Sequence, residues 1–151
     1  MLKPKIALAC DHRGLQMKNA LIDFLKNKKF EVIDCGTKSE DSCDYPDFMF
    51  QAAEKVAKKE CHRAIGICYT GIGSAIAANK VRGVRAALVQ NIEQARLSRA
   101  HNDSNMLILG AGFLPQEILF PLVDAWLKTP FDRGRHEIRV EKIRNYEKGN
   151  H

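Results

Sequence analysis

Five short apolar runs divide the chain: Lys5 to Cys10, Phe30 to Asp34, Ala64 to Cys68, Arg85 to Val89 and Met106 to Leu109. Each is rich in Ile, Val, Leu and Ala, as expected of strands covered on both faces. The stretches between them carry a helical period, so the pattern is that of a parallel sheet wrapped by helices. The predicted fold is α/β and doubly wound: a five-stranded parallel sheet with helices on both faces, Rossmann-like in its layers.

Met17, Leu21 and Leu25 recur at four-residue spacing, as do Phe48, Ala52 and Val56. Each set predicts a helix with one face on the sheet and its Lys and Glu residues in water. Asn91 reads as an N-cap with Gln94 three residues on. Pro115 is placed to open a helix carrying Ile118, Leu122 and Trp126, and Pro121 should bend that helix. Arg135 to Tyr146 reads as a charged helix with few apolar residues, which a partner subunit would support.

The 151 residues suit one compact domain, 1–151, in which Gly36 to Asp44 is a loop. A net charge of +6 favours an anionic partner, either a phosphorylated metabolite or nucleic acid. No apolar run approaches a bilayer span, and MLKPKIALAC passes directly into a strand-like segment, so neither a signal peptide nor an anchor is expected. The five cysteines, Cys10, Cys35, Cys43, Cys61 and Cys68, are odd in number and lack CxxC or CxxH spacing. That argues against disulfides and zinc and for the reducing cytoplasm.

In an open α/β sheet, ligands bind beyond the carboxyl ends of the strands. The first strand ends in Cys10-Asp11-His12-Arg13-Gly14, where Asp11 and His12 either meet a ligand or merely cap and flank the next helix. The third runs through Cys68-Tyr69-Thr70-Gly71-Ile72-Gly73-Ser74 into IAANK, a strand, glycine turn and helix. Glycine lets backbone approach a ligand, and amides at a helix start point at negative charge. Cys68 at the mouth of such a turn is either a buried small hydrophobe or a base whose anion the helix dipole favours. The Gly-Lys-Ser/Thr ending of a nucleoside-triphosphate loop is missing. His101 and Asn102 could present an imidazole and an amide together to a sugar ring. In Gly134-Arg135-His136-Glu137-Ile138-Arg139, two guanidinium groups four residues apart share a helix face, as a solvated basic surface or as a grip on phosphate.

Taken in order, CDHRG, C-x-T-G-x-G with IAANK, HND-x-N and GRH-x-x-R resemble the family of ribose-5-phosphate isomerase B and galactose-6-phosphate isomerase subunits, over nearly the whole chain. The resemblance implies an aldose–ketose isomerase that interconverts ribose 5-phosphate and ribulose 5-phosphate through a cis-enediolate. Carried over residue by residue, it makes Cys68 the base and His101 the residue that opens the sugar ring. Thr70 and Asp11 contact the reacting oxygens, and the amides of Gly71, Ile72, Gly73 and Ser74 hold the enediolate. His12, Tyr45, Asn102, Arg135 and Arg139 bind substrate, the arginines at its phosphate. It further implies no metal and no organic cofactor, and a homodimer or tetramer whose sites are shared between subunits. Three positions depart from the family pattern. Tyr69 stands where many relatives have Gly, Gly112 where relatives often have Arg, and Ser74 where one branch lacking the cysteine has a Glu.

The rival expectations are a six-carbon phosphosugar isomerase, acting on allose 6-phosphate or galactose 6-phosphate, and a non-catalytic phosphate-ligand module. A flavodoxin-like receiver would need Asp where Cys68 stands. A nucleic-acid binder would interleave exposed aromatics with basic residues, and the few aromatics here fall mostly at helix-packing positions.

Overall fold

The computed structural model of the protein describes residues 2–149, so the ends of the expected 1–151 domain lie outside the described residues. Its strands are β1 Lys5–Cys10, β2 Glu31–Asp34, β3 Arg63–Cys68, β4 Ala86–Leu88 and β5 Met106–Gly110. They form one parallel sheet in the order β2-β1-β3-β5-β4. The helices are α1 Leu15–Asn27, α2 Tyr45–Ala57, α3 Ile72–Ala78, α4 Ile92–Asn102, α5 Leu119–Lys128 and α6 Arg135–Glu147.

Alternation along the strands builds two cores. Ile6, Leu8, Ile65, Ile67, Leu107 and Leu109 face the layer of α1, α4 and α5. Ala7, Ala9, Ala64, Met106 and Ile108 face α2 and α3. On that second side a Cβ at Gly66 would stand 2.5 Å from Met49 Sδ, so α2 sits close against small strand residues. Cys68 shares the parity of Ala64 and Gly66 and therefore belongs to the α2–α3 side.

Three local expectations change. Lys18 does not face water: it is fully buried and donates to both oxygens of Asp34 at 2.9 Å and to the Thr37 carbonyl at 2.8 Å. Its neighbour Met17 is only partly buried, because the stripe of α1 that meets the sheet is Lys18, Leu21 and Leu25. The segment after Pro115 is a 3-10 turn at Gln116–Ile118 followed by α5. The break falls just ahead of Pro121, which has no N–H to give the Glu117 carbonyl four residues back. Within α5 itself Pro121 sits in the first turn, where no intrahelical partner is lost.

The N-cap at Asn91 forms as expected, its side chain accepting from the Gln94 amide at 2.8 Å. The C-terminal helix α6 buries only His136 and Val140, resting against α4. No helix among the described residues is long and apolar enough to cross a membrane.

Candidate active site

The chain leaves β1 to one side and re-enters on the other through β3, which puts the topological switch point between the carboxyl ends of β1 and β3. Asp11, His12, Cys68, Thr70 and the glycine turn all lie there. The Cys68 carbonyl accepts from the Ala111 amide at 2.8 Å and the Tyr69 carbonyl from Gly112 at 2.9 Å, so the end of β5 stitches the turn in place. Gly71 has φ 78°, a left-handed conformation that favours glycine, and a Cβ there would press on Leu88.

The turn is arranged around unused donors. The Ile72 amide donates to Thr70 Oγ1 at 3.1 Å, which leaves the threonine hydroxyl proton for another acceptor. Among the described residues the amides of Gly71, Gly73 and Ser74 have no acceptor, and the next amide, Ala75, closes the first helical bond to Gly71. Ser74 Oγ is buried without a hydrogen-bond partner. Cys68 lies beneath this turn with 4 % of its surface exposed.

Around the turn stand the other predicted contacts. Tyr45 opens α2, and its ring lies where a side chain at Gly73 would have to be. Asp11 is buried and its Oδ1 accepts from the Arg13 amide at 3.0 Å, so it does cap the following turn, with its second oxygen left over. His12 accepts from the Cys43 amide at Nδ1 (3.3 Å), an arrangement that puts the ring proton on Nε2. Nothing in the Gly36–Asp44 loop sequence signals that contact. The two departures Tyr69 and Gly112 touch: the Tyr69 ring occupies the space beside Gly112 that any side chain there would need.

The remaining predicted residues are elsewhere. His101 and Asn102 end α4, and the chain then re-enters β5 through Asn105, whose carbonyl accepts from Ala64 at the start of β3. They therefore lie at the amino edge of the sheet, separated from Cys68 by the length of β3, on the order of 16 Å at about 3.3 Å per residue. The first turn of α6 packs on the same end, with His136 stacked on His101 at 4.1 Å between centroids. Arg135 and Arg139 are exposed there and form no ion pair among the described residues. Burial of His136, followed by the charges of His101, Arg135 and Arg139, holds its imidazole below the usual histidine range. His101, Asp132 and His136 bring donor atoms within 4.8 Å of one another. Their two rings are only 10° from parallel, so both cannot aim in-plane lone pairs at one ion without rotating.

The thiols differ in setting. Burial pushes Cys10 up to about 11, ahead of the opposing effect of Lys18, and burial also raises Cys35 and Cys61. Those three are structural hydrophobes.

A family model described as Ribose/Galactose Isomerase matches residues 6–143. The chain is 44 % identical over 139 residues to ribose-5-phosphate isomerase B of Escherichia coli, covering 92 % of this chain and 93 % of that protein. The structure of Clostridium thermocellum ribose-5-phosphate isomerase B superposes with a TM-score of 0.94 at 48 % identity, covering 97 % of this chain and 99 % of the other. A Mycoplasma genitalium ribose-5-phosphate isomerase B with bound ribulose-5-phosphate does so with a TM-score of 0.94 at 43 % identity, covering 98 % and 99 %.

Proposed function

The chain belongs to the ribose/galactose isomerase family and is a sugar-phosphate aldose–ketose isomerase; we propose that it interconverts ribose 5-phosphate and ribulose 5-phosphate with Cys68 as the base. The observation that carries this reading is the position of Cys68 at the switch point, beneath a turn in which the amides of Gly71, Gly73 and Ser74 and the Thr70 hydroxyl proton have no partner among the described residues. Removing a proton beside a carbonyl builds negative charge on the two oxygens of a cis-enediolate. Preorganised donors at that charge are worth about 3 kcal/mol each.

In the proposed sequence His101 first opens the sugar ring, because a closed sugar has no carbonyl and no acidic proton. The Cys68 thiolate then takes the proton from the carbon beside the carbonyl and returns it one carbon away. The amides of Gly71, Gly73 and Ser74 hold the enediolate. The Ile72 amide acts indirectly, through Thr70, whose hydroxyl it orients. Thr70 and Asp11 meet the reacting oxygens, and His12, Tyr45 and Asn102 bind the hydroxyls. Arg135 and Arg139 grip the phosphate. No residue in this sequence of steps calls on a metal or organic cofactor.

One chain alone holds these groups at opposite sheet edges, so the reading requires a second copy that brings His101, Asn102, Arg135 and Arg139 of one subunit to Cys68 of the other. A homodimer, alone or paired into a tetramer, meets that requirement. Exposed Ile72 and Ile76 on α3 and Ile138 and Ile143 on α6 support such contacts. The proposal takes 1–151 as one isomerase domain acting in the cytoplasm.

A coupled assay of ribose 5-phosphate against allose 6-phosphate and galactose 6-phosphate tests the substrate. Turnover of ribose 5-phosphate well above the six-carbon sugars is expected. Preference for a six-carbon sugar would overturn the assignment.

A further inference from the structure

We propose that Arg13 is a further phosphate-binding residue of the Cys68 half-site, held in position by the ring of Tyr69; this rests on the phosphosugar reading above. The Arg13 guanidinium carbon lies 4.2 Å from the centroid of the Tyr69 ring. That ring, 44 % exposed, has two further neighbours. It lies over the bare Cα of Gly112, and Phe113 meets it edge-on at 5.6 Å with planes 63° apart. The base of Arg13 is tethered as well, its amide donating to Asp11 Oδ1 at 3.0 Å.

Stacking uses the face of the guanidinium and leaves its N–H edge free. Among the described residues the Arg13 side chain has no hydrogen bond and no ion pair. Arg63, Arg85, Arg96, Arg99, Arg133 and Arg144, by contrast, direct their N–H groups at carbonyls or carboxylates. An exposed arginine ordinarily loses much rotamer freedom when it grips an anion. Here the ring already restricts where the guanidinium sits, and its fork matches two phosphate oxygens.

The place fits a ligand terminus. Arg13 follows His12 and stacks on the residue after Cys68, and a cavity of about 400 Å³ opens beside it, walled by His12, Arg13, Gln16, Ala111 and Leu114 among others. Cys68 is not in those walls, while His12 is, and the proposal assigns the cavity to the end of the substrate remote from the reacting carbons. Glu40 lines the same cavity without pairing with Arg13. In the assembled site the phosphate is gripped by Arg13 of one subunit and by the Arg135–Arg139 pair of the other.

The test combines steady-state kinetics on ribose 5-phosphate with inorganic phosphate as the competing probe. Arg13→Gln raises KM about tenfold with kcat within about twofold, and weakens phosphate inhibition by the same factor. Tyr69→Phe keeps the ring and behaves as the unaltered protein. Tyr69→Ala reproduces the Arg13→Gln effect, and the double variant is no worse than either single one. Unchanged KM and phosphate inhibition in Arg13→Gln would overturn the proposal, as would effects of the two residues that multiply. If the unaltered protein does not turn over ribose 5-phosphate, the isomerase reading fails. Calorimetric phosphate binding, weakened about tenfold by Arg13→Gln, still supports the Arg13 site in that case, and unweakened binding overturns it.

Discussion

Cys68 and His101 stand at opposite edges of one sheet, the thiol at the carboxyl end of β3 and the imidazole at the end of α4, beside the strands' amino ends. A base and a ring-opening residue that serve one sugar must lie within a few ångströms of it. On the proposed roles of these two residues, the reading therefore requires association between chains before any interface is considered.

The Tyr45 ring over Gly73 gives a first prediction. Gly73→Ala places a methyl group in the ring's position, so Tyr45 must move or the first turn of α3 must shift. Overpacking of this kind costs about 1–3 kcal/mol. Thermal melts should show the loss, and, if Tyr45 binds substrate as proposed, KM should rise severalfold. Unchanged stability and kinetics would mean that the Tyr45 ring swings aside freely.

Lys18 gives a second. It is buried with Asp34 and also holds the Thr37 carbonyl, tying the end of β2 and the start of the Gly36–Asp44 loop to α1. Lys18→Met leaves Asp34 with the exposed Lys38 and the Gly36 amide as its remaining partners. Breaking a buried pair by removing one member costs about 3–5 kcal/mol, and the partial exposure of Asp34 places this case at the lower end. Urea titration measures it.

The third concerns pH. The folded chain holds His136 below its ordinary value of 6.5, through burial first and then through His101, Arg135 and Arg139, with Asp132 opposing. As pH falls through 6.5, the unfolded chain takes up a proton that the folded chain refuses. The contribution is complete above that pH and is lost on acidification through the lower folded value. His136→Asn should therefore lose less melting temperature than the unaltered protein between about pH 7.5 and pH 5.5. Parallel melting curves for the two would contradict this.

Arg135 and Arg139 are exposed on α6, and neither forms an ion pair among the described residues, the intervening Glu137 pairing with Arg133 instead. On the proposed phosphate role, Arg135→Ala should raise KM for ribose 5-phosphate about tenfold with little change in kcat, since the group it would grip is remote from the chemistry. An unaffected KM would remove the phosphate role.

The interior of the sheet was legible from sequence because β1, β3 and β5 are buried on both faces and read as unbroken apolar runs. The edge strands were less so. Phe30 and Val89 look like strand residues but lie outside β2 and β4, each of which pairs on one side only. Lys18 defied its residue type because its partner Asp34 comes from a different element, a pairing that no helical period encodes. Within the site, the cysteine, the glycine turn and the acid–imidazole pair could be read from motifs, since each is local in sequence. The Tyr45–Gly73 contact, the Cys43 amide on His12 and the Arg13–Tyr69–Gly112 stack could not, because each joins segments that only the fold brings together.

On the proposed reading, one site takes its base from one subunit and its ring-opening residue from another. That sharing is tested most directly by co-expressing Cys68→Ala and His101→Ala chains under different tags and purifying the mixed dimers. Each variant alone should be inactive on ribose 5-phosphate, while the mixed dimer, having one intact composite site of two, should recover about half the activity of the unaltered dimer. Mixed dimers as inactive as both parents would overturn the shared site.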